Sequence, residues 1–468
     1  MKDIKKKEFW YGIEKFSLLY AILKPYFRFF HKAYYKEFKV IGKENIPYDC
    51  PVIFAINHQN ALMDALAILF TVKGQPIFLA RADIFKKYFL AKVLKFMNIM
   101  PVYRIRDGYE SLQNNNEVFD KIIEVIEKGH KIAILPEGSH KGIRRLRPLK
   151  KGICRIAFTA EEKNNFKLNL KIVPVGIDYS NYTKFNQSVL ISYGMPISLS
   201  DFYEIYKENP QKAYNELLNT ISDRLRQLIV NINNDEYYEL YDNVREIYKE
   251  KIKEKLNFKN LKQPNKFICD KILIEAIDKE LSENNERVND LNIKVREYVD
   301  YLNKKNFRNW LFNKDHYSLI LIFIQLLFHL TTLPFFVYGV INNILPYYLP
   351  IRAIKNVKDP QFHSSFKSVI ASLTFPFFYI LQSLMILIIG KNIYLALIYL
   401  ISLPVSFYFS LYYYLLLKKV IAKVRYNKNN KTSEQRNIKL LREEIFNTID
   451  RIIESRIPNI NRDHFLTL

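Results

Sequence analysis

Three long stretches without a charged side chain constrain this chain more than any other feature. Residues 318–351, 368–390 and 392–417 contain no Asp, Glu, Lys or Arg. A helix needs about 20 apolar residues to cross the hydrocarbon of a bilayer, and every backbone polar group there must be paired internally. The last two stretches, divided at Gly390-Lys391, predict a helical hairpin. The first exceeds one crossing and is interrupted by Thr331-Thr332-Leu333-Pro334 and by Asn342-Asn343. It is expected to enter and return as a proline-broken hairpin, with Tyr347 and Tyr348 at the interface. The flanking cations support an even number of crossings. Arg352, Lys355, Lys358 and Lys367 on one loop, and Lys418, Lys419, Lys423 and Arg425 after the last run, belong on the cytoplasmic face under the positive-inside rule. The expectation is an integral, multi-pass membrane protein whose N-terminal portion is cytoplasmic.

At 468 residues the chain can hold two or three domains. Lys and Arg total 71 against 47 for Asp and Glu, a net charge of +24, which favours anionic partners. Membrane lipid fits better than nucleic acid because the basic residues crowd the ends of apolar runs, although a general abundance of Lys, Asn, Ile and Tyr could produce the excess by itself. Cys50, Cys154 and Cys269 stand in no metal-ligand spacing and read as reduced thiols; no metal site is indicated. Residues 1–38 combine Lys2, Lys5, Lys6 and Lys7 with Phe9, Trp10, Tyr26, Phe27, Phe29 and Phe30. The uncharged run 16–23 is too short to span, and no small-residue cleavage site comes after it. An amphipathic helix in the membrane interface is expected there, with an ordinary globular helix as the plainer alternative.

Across 39–200 short apolar runs alternate with helix-forming segments, which predicts an α/β domain with a largely buried sheet. The run 51–56 ends in Asn57-His58, and helix formers resume at Ala61, with Asp64 near the helix start. In one continuous helix, six steps of about 100° would put His58 and Asp64 on different faces. A turn between them lets the carboxylate reach an imidazole nitrogen. Such a pair makes a general base, the acid fixing the tautomer and stabilising the imidazolium that forms. A capping Asn57 beside an ordinary loop histidine is the bland alternative. Residues 75–81 predict a strand, 84–97 a helix, and 98–106 a segment carrying Arg104 and Arg106. A guanidinium there can hold a phosphate through two parallel hydrogen bonds, or can simply lie solvated at a strand end. Val118, Ile122, Val125 and Ile126 mark the apolar face of a helix over 113–129 that Gly129 stops.

A buried strand over 132–135 leads into Pro136-Glu137-Gly138-Ser139-His140. Here the proline can fix a turn and the glycine allows close approach to a ligand, although Pro-Glu-Gly is also an ordinary turn. The basic run Lys141, Arg144, Arg145, Arg147, Lys150 and Lys151 suits ligand phosphates or an anionic membrane surface equally well. A helix over 152–160 and a strand over 171–177 come next. Pro174 interrupts that strand, which points to an edge or bulge at the rim of the sheet. A last strand over 189–197 closes the domain.

Four segments, those holding Asn57-His58 with Asp64, Asn98 to Arg106, Pro136 to His140, and Lys171 to Ile177, occur in an ordered set that resembles the blocks of the glycerophospholipid acyltransferase family. That family acylates glycerol 3-phosphate and lysophosphatidate. The five residues between His58 and Asp64, where most members have four, and Ser139-His140 in place of Thr-Arg, are similar to a branch that includes fungal glycerol-3-phosphate and dihydroxyacetone-phosphate acyltransferases. Asn98 departs from the family's glycine. More weakly, 343–365, with Asp359 and Phe362, resembles the region after the catalytic domain in that branch. The resemblance implies an acyltransferase-type mixed sheet flanked by helices, with His58 and Asp64 catalytic. It implies substrate contacts from Asn57, Arg104, Glu137, Gly138, Ser139 and Pro174: Arg104 on the acceptor's phosphate, Glu137 and Gly138 on its glycerol, and the strand of Pro174 on the acyl side. It also implies no cofactor beyond the donor substrate itself, acyl-CoA or an acyl-carrier protein.

Residues 201–316 place Leu218, Ile221, Leu225, Leu228 and Ile232, then Leu291, Val295, Val299 and Leu302, at helical spacing. They predict a helical appendage, with Pro210 near a helix start and Pro264 in a linker. Residues 317–417 form the transmembrane region, and 418–468 a basic tail ending in an amphipathic helix over 434–456. The expected whole is a membrane-bound O-acyltransferase acting on an acyl thioester and a glycerol-phosphate acceptor in phospholipid synthesis, with no nucleic-acid partner. Two alternatives remain: a channel or scaffold with a degenerate acyltransferase-like domain, and a metallohydrolase using His58, Asp64 and Glu137 as ligands, which lacks a second histidine at ligand spacing.

Overall fold

The computed structural model describes residues 12–85, 88–102, 109–430 and 432–457. The lysines at 2 and 5–7, Phe9 and Trp10, and both Arg104 and Arg106 lie outside them. Helix α1 (Leu18–Tyr34) begins at Ser17, whose hydroxyl accepts the Tyr20 N–H. It buries Tyr20, His31 and Tyr34 and leaves Leu18, Leu19, Ile22 and Phe29 exposed, an apolar face of the kind an interfacial helix presents.

The next domain runs β1 (Glu37–Ile41), β2 (Val52–Ile56), α2 (Ala61–Thr71), β3 (Ile77–Arg81), α3 (Tyr88–Phe96), β4 (Ile99–Val102), α4 (Tyr109–Glu127), β5 (Ile132–Ile134), α5 (Gly152–Lys163), β6 (Lys171–Tyr179), β7 (Ser188–Tyr193) and β8 (Ile197–Ser198). The strands make one mixed sheet in the order β1-β7-β6-β2-β5-β3-β4, with β8 on β6. Strands β2 to β6 are mutually parallel; β7 runs antiparallel to β6, and β1 parallel to β7. Strand β2, Val-Ile-Phe-Ala-Ile, is buried throughout. An interior parallel strand is covered on both faces, so its sequence is continuously apolar rather than alternating. Helix α4 buries Val118, Ile122, Val125 and Ile126 as their spacing predicts. Because the five parallel strands end on the same edge, the turns leaving β2 and β5 converge there, where sheets of this kind bind ligands.

Two strand expectations need correction. Strand β6 is interior, between β2 and β7, so Pro174 is buried rather than at a rim. The proline is tolerated because its side of β6 faces a break. Residues Val175 to Tyr179 pair with β7 and Lys171 to Ile172 with β8, and between them the Gly194 N–H donates to the Pro174 carbonyl at 2.9 Å. The missing N–H therefore removes no ladder bond. The same break, at Gly194-Met195-Pro196, divides the single strand expected over 189–197.

The appendage is helical as expected: α6 (Tyr203–Glu208), α7 (Pro210–Leu228), α8 (Tyr238–Ile247), α9 (Lys249–Lys255), α10 (Asn265–Glu283) and α11 (Asn285–Lys305). Pro210 occupies the first turn of α7, where a missing N–H is harmless. Ile221 and Leu225 join the sheet's core and Leu228 is buried, whereas Leu291, Val295 and Leu302 belong to a second core.

Among the described residues, three helices are long and apolar enough to cross a membrane: α12 (Leu319–Ala353), α13 (Gln361–Gly390) and α14 (Ile393–Asn429). No turn divides the run 318–351: α12 is one helix of 35 residues through Pro334, Pro346 and Pro350, and the residues flanking it, Tyr317 on Trp310 and Asp359 on His140, both contact extramembrane parts of the chain. Three of the carbonyls that prolines free are taken by neighbouring helices. Pro346 leaves the Asn342 carbonyl without its helical partner, and the Gln382 amide donates to it at 3.0 Å. Pro350 frees the Pro346 carbonyl, which accepts from the Thr374 hydroxyl at 3.1 Å. In α13, Pro376 frees the Ser372 carbonyl, which accepts from the Tyr26 hydroxyl of α1. With such partners a proline need not end a helix inside a membrane. Asn342 and Asn343, taken as a break, instead knot the helices together: their side-chain oxygens accept from Tyr399 and Tyr379. Beside them Gly339 lies so close to Ser406 and Ser410 of α14 that a Cβ would overlap both, the small-residue contact typical of membrane helices.

Helix α14 continues twelve residues past the expected boundary and returns to where α12 began, the Tyr317 N–H donating to the Asn427 side chain at 2.9 Å. Helix α15 (Ser433–Arg456) then packs Ile438, Ile445, Ile449, Ile452 and Ile453 into the appendage core. The tail's amphipathic helix is thus part of the appendage.

Candidate active site

His58 stands two residues past β2, where the strand hands over to α2. Its Nδ1 lies 3.0 Å from Oδ2 of Asp64, in the first turn of α2. The Asp64 side chain is fully buried and that of His58 is 17% exposed. Asp64 is held from all sides: Oδ2 also accepts the Gln59 and Asn60 N–H groups, both at 2.8 Å, and Oδ1 accepts the Tyr179 hydroxyl at 2.9 Å. These donors fix the orientation of the carboxylate toward His58. With Nδ1–H donating to Asp64, the base is Nε2, which has no hydrogen-bond partner among the described residues. The pair that the spacing suggested is formed, and formed by a turn rather than along one helix.

Glu137 comes after β5 on the same edge. It clamps the turn of the site: Oε1 accepts the His58 N–H at 2.6 Å and Oε2 the Arg147 N–H at 3.0 Å. Burial is the dominant influence on its carboxyl and pushes it up to about 7, against the lowering effect of those two hydrogen bonds. Gly138 adopts a positive φ of 68° in this turn, a conformation costly for any side chain. The Ser139 hydroxyl and carbonyl both accept from the Arg147 guanidinium. His140 meets His58 edge to face, ring centroids 5.1 Å apart. The oxygens of Asp64 are engaged by His58, two backbone amides and Tyr179, and those of Glu137 by two backbone amides, so neither carboxylate is turned toward a ligand as a metallohydrolase would require.

Asn57 is completely buried, and its amide is paired both ways with Ile177 of β6, accepting at 2.7 Å and donating at 3.1 Å. It ties the ends of β2 and β6 together and so aims His58, without facing the cleft. Pro174 lies within the sheet interior. Chain geometry therefore gathers His58, Asp64, Glu137, Gly138, Ser139 and His140 at one place, while Arg104 lies beyond the end of β4, outside the described residues.

The basic run behaves differently from a surface patch. Arg144 is buried, its guanidinium against Asp178 at 3.0 Å and Asp242 at 3.3 Å and donating to the Tyr179 carbonyl. Arg145 bonds the Ile232 carbonyl and Asp235. These two join the sheet domain to the appendage, whereas Lys141, Lys150 and Lys151 are exposed. Tyr179, which completes the Asp64 cage from 115 residues away, was not singled out by sequence; only its place at the end of a parallel strand hints at it.

The family described as Acyltransferase matches residues 37–178. The chain is 28% identical over 151 residues to glycerol-3-phosphate O-acyltransferase 1 of Saccharomyces cerevisiae, covering 32% of this chain and 20% of that one. It is 28% identical over 158 residues to a 1-acyl-sn-glycerol-3-phosphate acyltransferase of Borreliella burgdorferi, covering 34% of this chain and 57% of that one. The chain thus spans about a fifth of the yeast relative's length. Among solved structures, the 1-acyl-sn-glycerophosphate acyltransferase of Thermotoga maritima overlaps 44% of this chain and 80% of its own at 21% identity, with a TM-score of 0.31. The stretch that this family matches, residues 37–178, is the one that holds the His58–Asp64 pair at the carboxyl edge of the sheet.

Proposed function

We propose that the chain is a membrane enzyme that transfers a fatty acyl group from a thioester to a hydroxyl of a glycerol-phosphate acceptor, sn-glycerol 3-phosphate or its 1-acyl derivative. The observation that carries this reading is an imidazole held 3.0 Å from a caged carboxylate, with its other nitrogen available at the sheet's ligand edge. Nε2 of His58 accepts the acceptor's hydroxyl proton as the oxygen attacks the thioester carbonyl; Asp64 stabilises the imidazolium. Collapse of the tetrahedral species breaks the C–S bond, and the departing thiolate takes the proton back, leaving neutral histidine, ester and thiol. No acyl-enzyme is needed, because the thioester is already activated and the acceptor needs mainly positioning. Glu137 sets the His58 backbone, and Arg104 is assigned the acceptor's phosphate.

The relatives named for acylation of glycerol 3-phosphate and of its monoacyl derivative support the acceptor class. A cytoplasmic location for the domain is supported by its basic neighbours. The loop holding Arg352, Lys355 and Lys358 and the segment holding Lys418 to Arg425 both sit at ends of membrane helices that meet the extramembrane parts of the chain, as the contacts of Lys367 with Thr183 and of Tyr317 with Asn427 indicate. The test uses purified membranes with labelled acyl-CoA or acyl-carrier protein and each acceptor in turn. Thioester consumption should depend on the acceptor and be abolished in His58→Ala without loss of folding. An active, well-folded His58→Ala enzyme, or no acceptor-dependent turnover, would refute the proposal.

A further inference from the structure

Where α14 returns to the start of α12, the two helices leave a notch of about 380 Å³ between them, within the range of about 300–1,000 Å³ typical of small-ligand sites. Its α14 wall is a single face carrying Leu416, Lys419 and Lys423, three and seven residues apart. Helix α12 contributes Ile324, Gln325 and Phe328. Leu416, Ile324 and Phe328 are exposed, so the notch joins an apolar wall to two cations. Lys423 does not behave as a flanking lysine that reaches for water. It is half-buried; its Nζ donates across the notch to the Gln325 side-chain oxygen at 3.1 Å and lies 5.6 Å from the centre of the Tyr317 ring. Gln325 is fixed in turn, its carbonyl accepting from Nδ1 of His329 at 2.6 Å. An ammonium has three hydrogens, so the bond to Gln325 leaves two for another acceptor. The charged neighbours of Lys423 are Lys419 and Lys314, both cations. The acids next in sequence, Asp315 and Glu434, are taken by Lys439 and Lys305, and among the described residues no carboxylate pairs with Lys314, Lys419 or Lys423.

We infer that this notch binds an anionic glycerophospholipid, its phosphate held by Lys419 and Lys423 and its acyl chains lying along Ile324, Phe328 and Leu416. Cations gathered without a counter-charge repel one another, and an anion between them turns that repulsion into attraction. A phosphate oxygen is the acceptor that ammonium groups bind through charge-assisted hydrogen bonds. A free phosphate would match the two lysines and leave the apolar wall uncovered, whereas a lipid matches both at the end of two membrane helices. The bound lipid bridges α12 and α14 beside the joint where the Tyr317 N–H donates to the Asn427 side chain and the Asn427 amide donates back to the Tyr317 carbonyl. It thereby stabilises the point at which the membrane helices meet the appendage, at a place apart from the catalytic turn. The inference rests on α12 and α14 lying in a bilayer and not on the proposed acyl transfer.

The experiment titrates the full chain, purified in uncharged detergent, with dioleoyl phosphatidylglycerol, dioleoyl phosphatidylcholine and glycerophosphoglycerol, the anionic headgroup without chains. Native mass spectrometry reads each affinity, and thermal unfolding reads folding and the stabilisation that bound lipid brings. Wild type is compared with Lys419→Gln/Lys423→Gln and with Lys418→Gln/Arg425→Gln, which removes the same charge from the same helix outside the notch. The notch variant should bind phosphatidylglycerol about thirtyfold more weakly and the control pair only about twofold more weakly, the larger factor being that of two lysines at an anionic headgroup. Phosphatidylglycerol should raise the unfolding midpoint of wild type and of the control pair but not that of the notch variant. Lys419 is exposed and holds no hydrogen bond among the described residues, so Lys419→Gln alone, expected to lose about fivefold, decides the matter if the double variant fails to fold. Equal affinity of wild type for the anionic and the zwitterionic lipid, or equal losses in the notch and control pairs, overturns the inference. Headgroup binding as tight as that of the lipid overturns the choice of occupant.

Discussion

Asp64→Asn separates charge from geometry at the catalytic pair. The carboxylate accepts from His58 Nδ1, Gln59 N and Asn60 N on Oδ2 and from the Tyr179 hydroxyl on Oδ1. An amide can satisfy the first three by placing its oxygen in the Oδ2 position. Its NH2 then faces Tyr179, whose hydroxyl can rotate to accept. The turn should persist, and stability should fall by only about 1–2 kcal/mol, because weaker hydrogen bonds are partly offset by relief of a buried charge. Catalysis should suffer far more. Two unit charges about 4 Å apart interact by about 4 kcal/mol at an effective dielectric near 20, suited to a pair with one member buried and the other 17% exposed. Withdrawing that from the imidazolium-forming step lowers kcat by about three decades. The acceptor's KM should change little, since Asp64 does not reach the cleft. Thiol release from an acyl thioester, followed with a chromogenic disulfide, reads both parameters. His58→Ala and the double variant complete the cycle: if the two side chains act as one unit, the double variant is no slower than His58→Ala. A folded Asp64→Asn enzyme retaining more than a tenth of wild-type kcat would refute the reasoning, as would a double variant three decades below His58→Ala.

Glu137 provides a pH test. Its carboxyl, pushed up to about 7 by burial, holds a proton that the unfolded chain releases near 4.5. Its contribution to stability is therefore fully present below about pH 4.5 and lost as pH rises through about 7. Glu137→Gln removes that titration, so the thermal midpoint of wild type should drop relative to the variant between pH 5 and 8, and parallel midpoint curves would contradict the assignment. In the membrane region, Gln382→Leu should cost about 1–2 kcal/mol in detergent unfolding by leaving the Asn342 carbonyl unpaired. Pro346→Ala, which restores a backbone donor to that carbonyl, should recover most of the loss; a neutral Gln382→Leu, or no recovery, would show that the carbonyl was satisfied otherwise.

What the sequence revealed divides by range. The turn around His58 and Asp64 is local, a buried run, a polar break and a helix start within fourteen residues, and its geometry comes from that order. The helix of Val118 to Ile126 and the appendage helices emerge from periodicity in the same way. Tyr179 on Asp64, Glu137 on the His58 amide and Asp359 on His140 are contacts across 115, 79 and 219 residues, for which no periodicity exists to read. Arg144 shows a second limit: a run of cations carries no information about which member will be buried, and this one is matched to Asp178 and Asp242. Pro174 and the prolines of α12 show a third. Rules for proline describe the cost of a missing N–H when nothing else changes. In β6 a break between β7 and β8 already lacked that acceptor, and in α12 the side chains of Gln382 and Thr374 replace the lost bonds.

These partners bear on how the chain is divided. Read along the sequence, a catalytic domain precedes a membrane anchor, with a spacer between. The hydrogen bonds do not respect that division. The Tyr182 carbonyl, just past β6, accepts from Asn60 at the start of α2 and from Ser364 at the start of α13, and the Tyr182 hydroxyl donates to Gln59 in the catalytic turn. Lys367 donates to the Thr183 carbonyl one residue on, and Tyr26 of α1 reaches a backbone carbonyl inside α13. A single tyrosine thus links the turn that carries His58 to the helix that enters the membrane. On the proposed reaction this link sets the base beside the helix start, so that an acceptor whose phosphate stays with the polar loops at the sheet edge would pass the acyl chain it receives toward the apolar faces of α1 and α13.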